Sequence, residues 1–250
     1  MQSAPSNDIS NAQASSDSND ISNTTASTFE LPTKRASLIL LLGKQGSGKT
    51  HFLKSLLRDG FKSGHFKFGR VYVRTKFNKD FDFMPEKAVH QDFSLDKIQT
   101  YCNKLAKWRE ENDGQMVPAN VLVLDDMLGL LKSNDHRWIN LLANLRHYGM
   151  TIIVTSQYFA AGGCCTTQMR NQCDIALMWE CRFARSRKAY FEAFGTFFQR
   201  QEEFERLLDD ATREPYAALV YNAYASTAHE MYYSFTAAEI QPFQIKFRAI

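Results

Sequence analysis

Apolar and polar positions follow two different periods along this chain, and the periods predict strands and helices in alternation. Short apolar or alternating runs predict five strands, which span 37–42, 70–75, 121–125, 151–155 and 174–179. Helical spacing of apolar residues predicts helices over 49–59, 94–112, 135–148 and 184–211. Two more strands, 216–222 and 230–236, are expected to pair. The pattern indicates an α/β fold with a mostly parallel central sheet, helices on both faces and a C-terminal strand pair.

The first 30 residues lack this pattern. They consist largely of Ser, Asn, Asp, Ala and Thr, and the string Ser-Asn-Asp-Ile-Ser-Asn occurs at 6–11 and again at 18–23. Such a segment buries too little apolar surface to offset the entropy of ordering. We predict a disordered tail over 1–33 and a single folded domain over 34–250.

Charge and composition exclude few classes of protein function. The chain has 250 residues and is 44% hydrophobic, which suffices for one sizeable core. Residues 1–30 hold four acidic and no basic side chains, so the remainder has 30 basic and 23 acidic side chains, a net charge of +7. This excess is a mild indication of a polyanionic partner. The sequence predicts no membrane span and no secretory signal.

The cysteines raise the question of a metal site. The chain has five, and four of them fall within 164–181; they are Cys102, Cys164, Cys165, Cys173 and Cys181. Their spacing lacks the paired C-x₂-C arrangement of zinc sites, so we favour buried or incidental thiols over metal ligands. An odd count in such a chain suits a reducing compartment.

The first predicted strand ends in a glycine-rich loop that matches G-x-x-x-x-G-K-[ST] at every fixed position. In this motif, backbone N–H groups and the following helix N-terminus surround phosphate oxygens. Lys49 is expected to reach the β- and γ-phosphates, and Thr50 to bind Mg²⁺. The Lys44 side chain is expected to be exposed. The predicted nucleotide-binding residues are Gly43, Lys44, Gln45, Gly46, Ser47, Gly48, Lys49, Thr50 and His51.

The third predicted strand ends in two adjacent acids, Asp125 and Asp126. With a full phosphate-binding loop upstream, we expect Asp125 to hold Mg²⁺, through water or together with Thr50. Asp126 is expected to orient or deprotonate the attacking water. An acidic turn after a buried strand is the alternative. A carboxylate beside the metal ligand favours ATP hydrolysis over a small-molecule kinase.

Three further residues are candidates for roles in hydrolysis. Gln157, at the end of the fourth strand, is placed to contact the γ-phosphate and the attacking water. Arg146 and Arg170 precede the fourth and fifth strands, and either is a candidate to stabilise the transition state in a neighbouring subunit. A solvated arginine at a helix end is the alternative for each.

Two basic groups are candidate contacts to a nucleic-acid backbone, although a solvated charged face explains either equally well. The first group is Arg182, Arg185, Arg187 and Lys188, and the second is Lys62, Lys67, Arg70, Arg74, Lys76 and Lys79.

Taken together, these motifs resemble the FtsK–HerA superfamily, and within it the poxvirus-type genome-packaging ATPases of large DNA viruses and virophages. The resemblance covers about 35–240. It rests on Gly43–Thr50, Leu124–Asp126, Arg146–His147 followed by Thr151–Gln157, Arg170–Asn171, and the acidic helix end and strand over 207–220.

The resemblance implies a RecA-like (ASCE) P-loop NTPase that uses ATP and Mg²⁺ to move double-stranded DNA into a preformed capsid. It further implies a homo-oligomeric ring, pentamer or hexamer, capsid or portal-vertex protein partners, and a location in the host cytoplasm (the viral factory) or the virion. Many relatives carry Glu where this chain has Asp126, which puts the role of Asp126 as base in question.

Two alternatives stay open at this point. One is a helicase or a conjugation-type DNA motor on the same core. The other is a nucleotide-dependent DNA- or capsid-binding protein that does not hydrolyse ATP.

Overall fold

The computed structural model describes residues 25–26, 29, 36–74, 79–127, 135–157, 159 and 167–246, and these residues build one nine-stranded sheet. The strands are β1 (Thr25–Ala26), β2 (Leu38–Leu42), β3 (Phe68–Val73), β4 (Val89–His90), β5 (Asn120–Asp125), β6 (Met150–Ser156), β7 (Ile175–Trp179), β8 (Ala218–Asn222) and β9 (Tyr232–Phe235). The helices are α1 (Lys49–Lys62), α2 (Leu95–Glu111), α3 (His136–Ala143), α4 (Thr167–Asn171), α5 (Ala184–Phe194), α6 (Gln201–Ala211) and α7 (Ala228–Met231).

The strand order is β1-β9-β8-β7-β2-β6-β5-β3-β4. Strands from β7 through β4 are all parallel, whereas β8 runs antiparallel to both β7 and β9. The predicted fold class, including the C-terminal strand pair, is confirmed. The pair does not stand apart, because β8 extends the parallel sheet through β7.

The two faces of the sheet are covered differently. Alternate residues of β2 point to opposite sides, as the period of a strand requires. Leu38, Leu40 and Leu42 pack with α2, α3, α5 and α6, while Ile39 and Leu41 pack with α1. Two short 3₁₀ turns, Lys79–Phe81 and Glu86–Ala88, and the C-terminal segment complete the cover on the α1 side. All five β2 residues are buried, which explains why this strand has no polar face.

Some predicted boundaries were wrong. The helix predicted over 135–148 ends at Ala143, because the chain must turn at Gly149, where φ is +55°, to enter β6. The helix predicted over 184–211 is two helices, α5 and α6, separated at Gly195. The two-residue strand β4 was not predicted, because two residues are too short to show a period.

Part of the predicted tail joins the sheet. Of residues 1–33, the structure describes Thr25, Ala26 and Phe29; the prediction for the others lies outside the described residues. Thr25–Ala26 pairs in parallel with β9, and the Phe29 ring contacts Phe52 and Phe235. These three residues depart from the prediction because a free sheet edge and an apolar contact were both available to them.

None of the described helices is long and apolar enough to cross a bilayer.

Candidate functional site

The phosphate-binding loop connects the buried strand β2 to helix α1. Gly46 and Gly48 adopt left-handed conformations, with φ of +77° and +106°, which side chains rarely tolerate. Gly43 is required for another reason: a Cβ atom there would lie 2.8 Å from both Trp179 Cβ and Ser47 Oγ. The glycines predicted from the motif therefore have separate physical causes, namely backbone turning and close packing against β7.

Lys49 lies at the first position of α1 and is buried. Its Nζ donates to the carbonyl oxygens of Gly43, at 2.5 Å, and Lys44, at 2.8 Å. Burial lowers the pKa of the Lys49 ammonium, and the nearby Asp126 and Asp125 carboxylates oppose part of that effect. The lysine is thus held across the mouth of the loop, where a phosphate oxygen can replace the two carbonyl oxygens.

Other groups of the loop and of the start of α1 are suited to bind an anion, and Thr50 is a candidate ligand for a cation. The first turn of α1 carries no acidic residue, and its backbone N–H groups face the loop. Ser47 Oγ is buried without a hydrogen-bond partner among the described residues. Thr50 is half-buried at the second helical position. Phosphate oxygens are suitable partners for these N–H groups and for the Ser47 hydroxyl, and nucleotide and metal binding here stay predictions.

The remaining predicted loop residues are exposed. The Lys44 ammonium extends away from the loop and pairs with Glu180 at 2.9 Å, as expected for a solvated side chain. Gln45 is exposed, and His51 Nε2 lies 2.9 Å from the carbonyl oxygen of Ala238. Contacts of these residues to a nucleotide stay predictions.

The strand order places the acidic pair at the end of β5, which is separated from the loop-bearing strand β2 by one strand, β6. Strand β6 lies between β2 and β5, with Leu42 beside Ser156 and Thr155 beside Asp125. The Gly43 N–H donates to the Ser156 carbonyl at 3.0 Å, which ties the loop to β6. The carboxyl end of β6 therefore lies between the loop that carries Lys49 and the two acids.

Thr155 connects both carboxylate residues. Its hydroxyl donates to Asp125 Oδ1 at 2.7 Å and accepts from the Asp126 N–H at 3.0 Å. Thr155 is buried, so these bonds are protected from water. The sequence pointed to this strand end through Gln157 and assigned no role to Thr155, because the adjacency of β5 and β6 is invisible in the chain order.

Asp126 and Gln157 form the next layer of the site. Asp126 has φ of +55°, a conformation that Asp and Asn tolerate better than most residues. This turn directs its carboxylate to Gln157, whose Nε2 donates to Oδ2 at 2.6 Å. The amide thus orients the carboxylate that is predicted to act on water.

Asp125 is mostly buried. Burial raises the pKa of its carboxyl group, and the charge of Asp126 adds to this effect, while the bond from Thr155 opposes it. A proton therefore competes with a metal ion at higher pH than for an ordinary Asp.

The two candidate arginines are not part of this site within one subunit. Arg146 is exposed in the turn before β6, and Arg170 is half-buried in α4 before β7. Strands β6 and β7 run parallel to β2, and the loop follows the carboxyl end of β2. Residues that precede β6 and β7 therefore lie at the amino ends of the strands, on the opposite side of the sheet from the loop. Roles in a neighbouring subunit stay predictions.

The basic groups separate into structural and exposed members. Arg187 is mostly buried between α5 and α6, where it pairs with Asp209 at 2.6 Å and Glu205 at 3.2 Å, so it joins two helices. The Arg70 guanidinium lies 4.2 Å from the centre of the Tyr101 ring. Lys62, Lys67, Arg74, Arg185 and Lys188 are exposed or half-exposed. Lys76 and the Lys79 side chain lie outside the described residues.

The described part of the chain contains no group of three or more His, Cys, Asp or Glu side chains arranged to hold a metal ion. Cys102 and Cys173 are buried, and Cys181 is half-buried. Cys164 and Cys165 lie outside the described residues.

Two sequence comparisons bear on the family. The family described as "Poxvirus A32 protein" matches residues 30–175. Uncharacterized protein 088R of Invertebrate iridescent virus 3 is 22% identical over 203 residues, which cover 80% of this chain and 75% of that protein.

Two solved structures share the fold. The genome packaging NTPase B204 of Sulfolobus turreted icosahedral virus 2, in complex with sulfate, aligns with a TM-score of 0.58 at 14% identity, over 77% of this chain and 94% of that chain. The pCW3 conjugation coupling protein TcpA, with ATPγS, aligns with a TM-score of 0.58 at 14% identity, over 86% of this chain and 64% of that one. The phosphate-binding loop and the sheet around it are therefore those of a P-loop ATPase fold.

The family match extends over more than half of the chain and includes the loop, Lys49, both acids, Arg146 and Gln157. This protein therefore belongs to the Poxvirus A32 protein family, as the resemblance predicted.

Proposed function

We propose that this protein is an ATPase that moves double-stranded DNA and packages a viral genome into a preformed capsid. The observation that carries the proposal is that Lys49 and the Asp125–Asp126 pair lie at the carboxyl ends of parallel strands. Strand β6 lies between β2 and β5 and contacts both parts of the site. Family membership supports the packaging role. The shared fold with a genome packaging NTPase supports it further.

In the hydrolysis step, each predicted residue has one task. Lys49 leaves the carbonyl oxygens of Gly43 and Lys44 and binds the β- and γ-phosphates. Asp126 orients the water that attacks the γ-phosphorus and accepts its proton as the bond to ADP breaks. Gln157 holds Asp126 and has a second amide hydrogen for the γ-phosphate, so it is placed to sense hydrolysis.

Thr50 and Asp125 are the residues that would hold Mg²⁺ in this site. When bound, the ion offsets phosphate charge and polarises the γ-phosphate. Hydroxyl and carboxylate oxygens are the ligands that Mg²⁺ prefers.

The Thr155 hydroxyl is expected to set the activity of both acids. Thr155→Val keeps the volume of the side chain but removes its bonds to Asp125 and Asp126. Losing such an outer contact typically costs about 10–100-fold in metal affinity or activity. We therefore expect ATP hydrolysis to fall by roughly 10–100-fold and the Mg²⁺ concentration for half-maximal rate to rise.

Two variants control this measurement. Thr155→Ser keeps the hydroxyl and should recover most of the rate. Thr151→Val changes another buried threonine of β6 that lies at the far end of the strand and should leave the rate unchanged. An unchanged Mg²⁺ dependence in Thr155→Val would show that the hydroxyl does not position the acids.

We further propose that the subunits act as a homo-oligomeric ring, with Arg146 as the likelier of the two arginines to reach a neighbour's nucleotide. Its exposure and its distance from the loop of its own subunit favour a role across a subunit interface. Capsid or portal-vertex proteins are the partners that such a ring needs. The place of action is the infected cell's cytoplasm or the virion.

The test of the proposed function is ATP turnover measured with and without double-stranded DNA, alongside particle mass in solution with nucleotide. We expect multiple turnovers, stimulation by duplex DNA and the mass of a ring. ATP-dependent separation of the two strands of a DNA duplex would favour the helicase alternative. Nucleotide binding without turnover would favour the non-hydrolysing alternative.

A further inference from the structure

A cleft of about 760 Å³ lies at the end of α1 that is far from the phosphate-binding loop. Its walls are the last turn of α1, the turn over 64–67 and the C-terminal segment 241–246. Lys67 directly precedes β3, so the cleft lies at the amino ends of the parallel strands. The length of α1 places Lys62 about 20 Å from Lys49. The cleft is therefore separate from the nucleotide site.

The C-terminal segment forms one wall and is anchored to the chain around Phe83. The Ile245 N–H donates to the Phe83 carbonyl at 2.8 Å, and Gln244 Nε2 donates to the Asp82 carbonyl at 3.3 Å. The Phe243 and Phe83 rings lie 4.6 Å apart between centroids. These contacts fix the backbone of the segment and therefore the position from which the Lys246 side chain extends.

The opposite wall is tightly packed. The Phe66 ring lies over Gly60, where a Cβ atom would be 2.4 Å from the ring, and the Phe66 N–H donates to the Gly60 carbonyl at 2.9 Å. The Phe61 ring lies 5.8 Å from the Phe66 ring between centroids. The turn that carries Lys67 is thus held against the helix end that carries Lys62, and the two lysines face one preformed cleft.

The lining of the cleft is positively charged. Its charged residues are Arg58, Asp59, Lys62, Lys67 and Lys246, four basic and one acidic, a net charge of +3. Arg58 Nε donates to Asp59 at 2.7 Å, so these two charges offset each other. The three lysines are exposed, and none of them forms an ion pair with a residue that the structure describes. Unpaired cations around a concave surface attract a polyanion.

The basic group around α5 differs in this respect. Arg182 pairs with Glu180 at 2.7 Å, Lys188 lies 3.8 Å from Glu192, and Arg187 is held between two helices. These cations are therefore partly neutralised within the chain. The dipole of α1 favours a lysine in its last turn, which accounts for Lys62 alone among the three lysines of the cleft.

The type of cation in the cleft indicates the type of polyanion. Lysine ammonium groups bind phosphates as point charges, whereas arginine forms paired hydrogen bonds with carboxylates. The cleft offers three ammonium groups, and its one arginine is already paired with Asp59. This set favours a chain of phosphates over an acidic peptide.

We propose that the cleft binds the phosphate backbone of double-stranded DNA through Lys62, Lys67 and Lys246. The proposal rests on the proposed function, because it assigns a contact surface to the DNA that the ATPase moves. Phosphate contacts carry no sequence information, as movement along any sequence requires. Helix α1 begins at Lys49 and ends at Lys62, so one rigid element connects the nucleotide site with the cleft.

The test measures the affinity of the full-length protein for a labelled DNA duplex by fluorescence anisotropy over a range of salt concentrations. A variant with all three lysines replaced by Gln should bind at least about tenfold more weakly at about 0.1 M salt. The slope of log affinity against log salt should become less steep by about 2 to 3, since each phosphate contact contributes about 0.9. A duplex of unrelated sequence should show the same losses.

Two variants control the measurement. Replacement of the same three lysines by Arg keeps the charges and should keep both the affinity and the slope. Replacement of Lys97, Lys104 and Lys107 by Gln removes the same charge from exposed positions of α2, which covers the other face of the sheet. This variant should also bind DNA like the unmodified protein. Thermal unfolding should show that all variants are folded.

The outcomes separate this proposal from the proposed function. If the unmodified protein binds no duplex DNA, both fail. If it binds DNA and the Gln variant of the cleft keeps the affinity and the slope, the proposed function stands and the cleft is not the DNA site. Poly-glutamate is measured in the same way. If the Gln variant lost binding to poly-glutamate but not to DNA, the cleft would be a site for an acidic protein instead.

Discussion

Replacement of Lys49 by Ala should abolish ATP turnover, with a loss of at least about 10²–10³-fold, the scale for removing one electrostatic contact to a transition state. The ammonium lies at the mouth of the loop, where its hydrogen bonds go to the carbonyl oxygens of Gly43 and Lys44, so a phosphate can replace them. The measurement is steady-state ATP hydrolysis in the presence of double-stranded DNA. Circular dichroism should show an intact fold, because the lost hydrogen bonds are to loop carbonyl groups.

The matched control is Lys104→Ala, which removes an exposed lysine of α2 that lies outside both basic groups. It should hydrolyse ATP at the unmodified rate. Comparable turnover in Lys49→Ala and Lys104→Ala would remove Lys49 from the catalytic site and, with it, the ATPase proposal.

Replacement of Asp126 by Asn should reduce hydrolysis by roughly 10²–10⁴-fold, the usual contribution of a general base, while ATP binding is retained. Asn is the appropriate substitution because it tolerates the left-handed backbone at this position, where φ is +55°. Its side-chain oxygen can still accept the bond from Gln157. The variant therefore removes the basic oxygen and little else. Single-turnover hydrolysis and equilibrium ATP binding measure the two effects separately.

Asp126→Glu tests the same assignment from the other direction. It keeps a carboxylate at the cost of some backbone strain, since Glu is less tolerant of positive φ. We expect measurable hydrolysis, above that of Asp126→Asn. If Asp126→Asn turned over ATP within a factor of a few of the unmodified rate, another group would have to accept the proton.

The sequence predicted the backbone structure of the phosphate-binding loop, while the binding of a nucleotide there stays a prediction. The fixed positions of Gly43–Thr50 are contiguous, and a contiguous motif carries its own geometry: the loop, the start of α1 and the location of Lys49 follow from local backbone preferences. The acidic strand end was predicted for the same reason, since four buried residues and two acids are adjacent in the chain.

The sequence predicted less about the parts that depend on neighbours in space. Thr155 was overlooked because its two partners lie about thirty positions upstream in the chain, and only the pairing of β5 with β6 brings them together. Arg187 was grouped with a basic surface, yet its side chain joins α5 to α6. Phe29 was assigned to a disordered tail, yet its ring contacts Phe52 of α1 and Phe235 of β9.

By itself, the sequence determined the class of fold, the phosphate-binding loop and the identity of the adjacent acids, because these depend on local periodicity and on motifs a few residues long. Only the tertiary structure decided that β6 inserts between β2 and β5 and that Thr155 links both acids. It also decided that Trp179 holds a strained Tyr216 beside the loop. The physical reason is that strand order and packing arise from contacts between residues far apart in the chain, which no single stretch of sequence encodes.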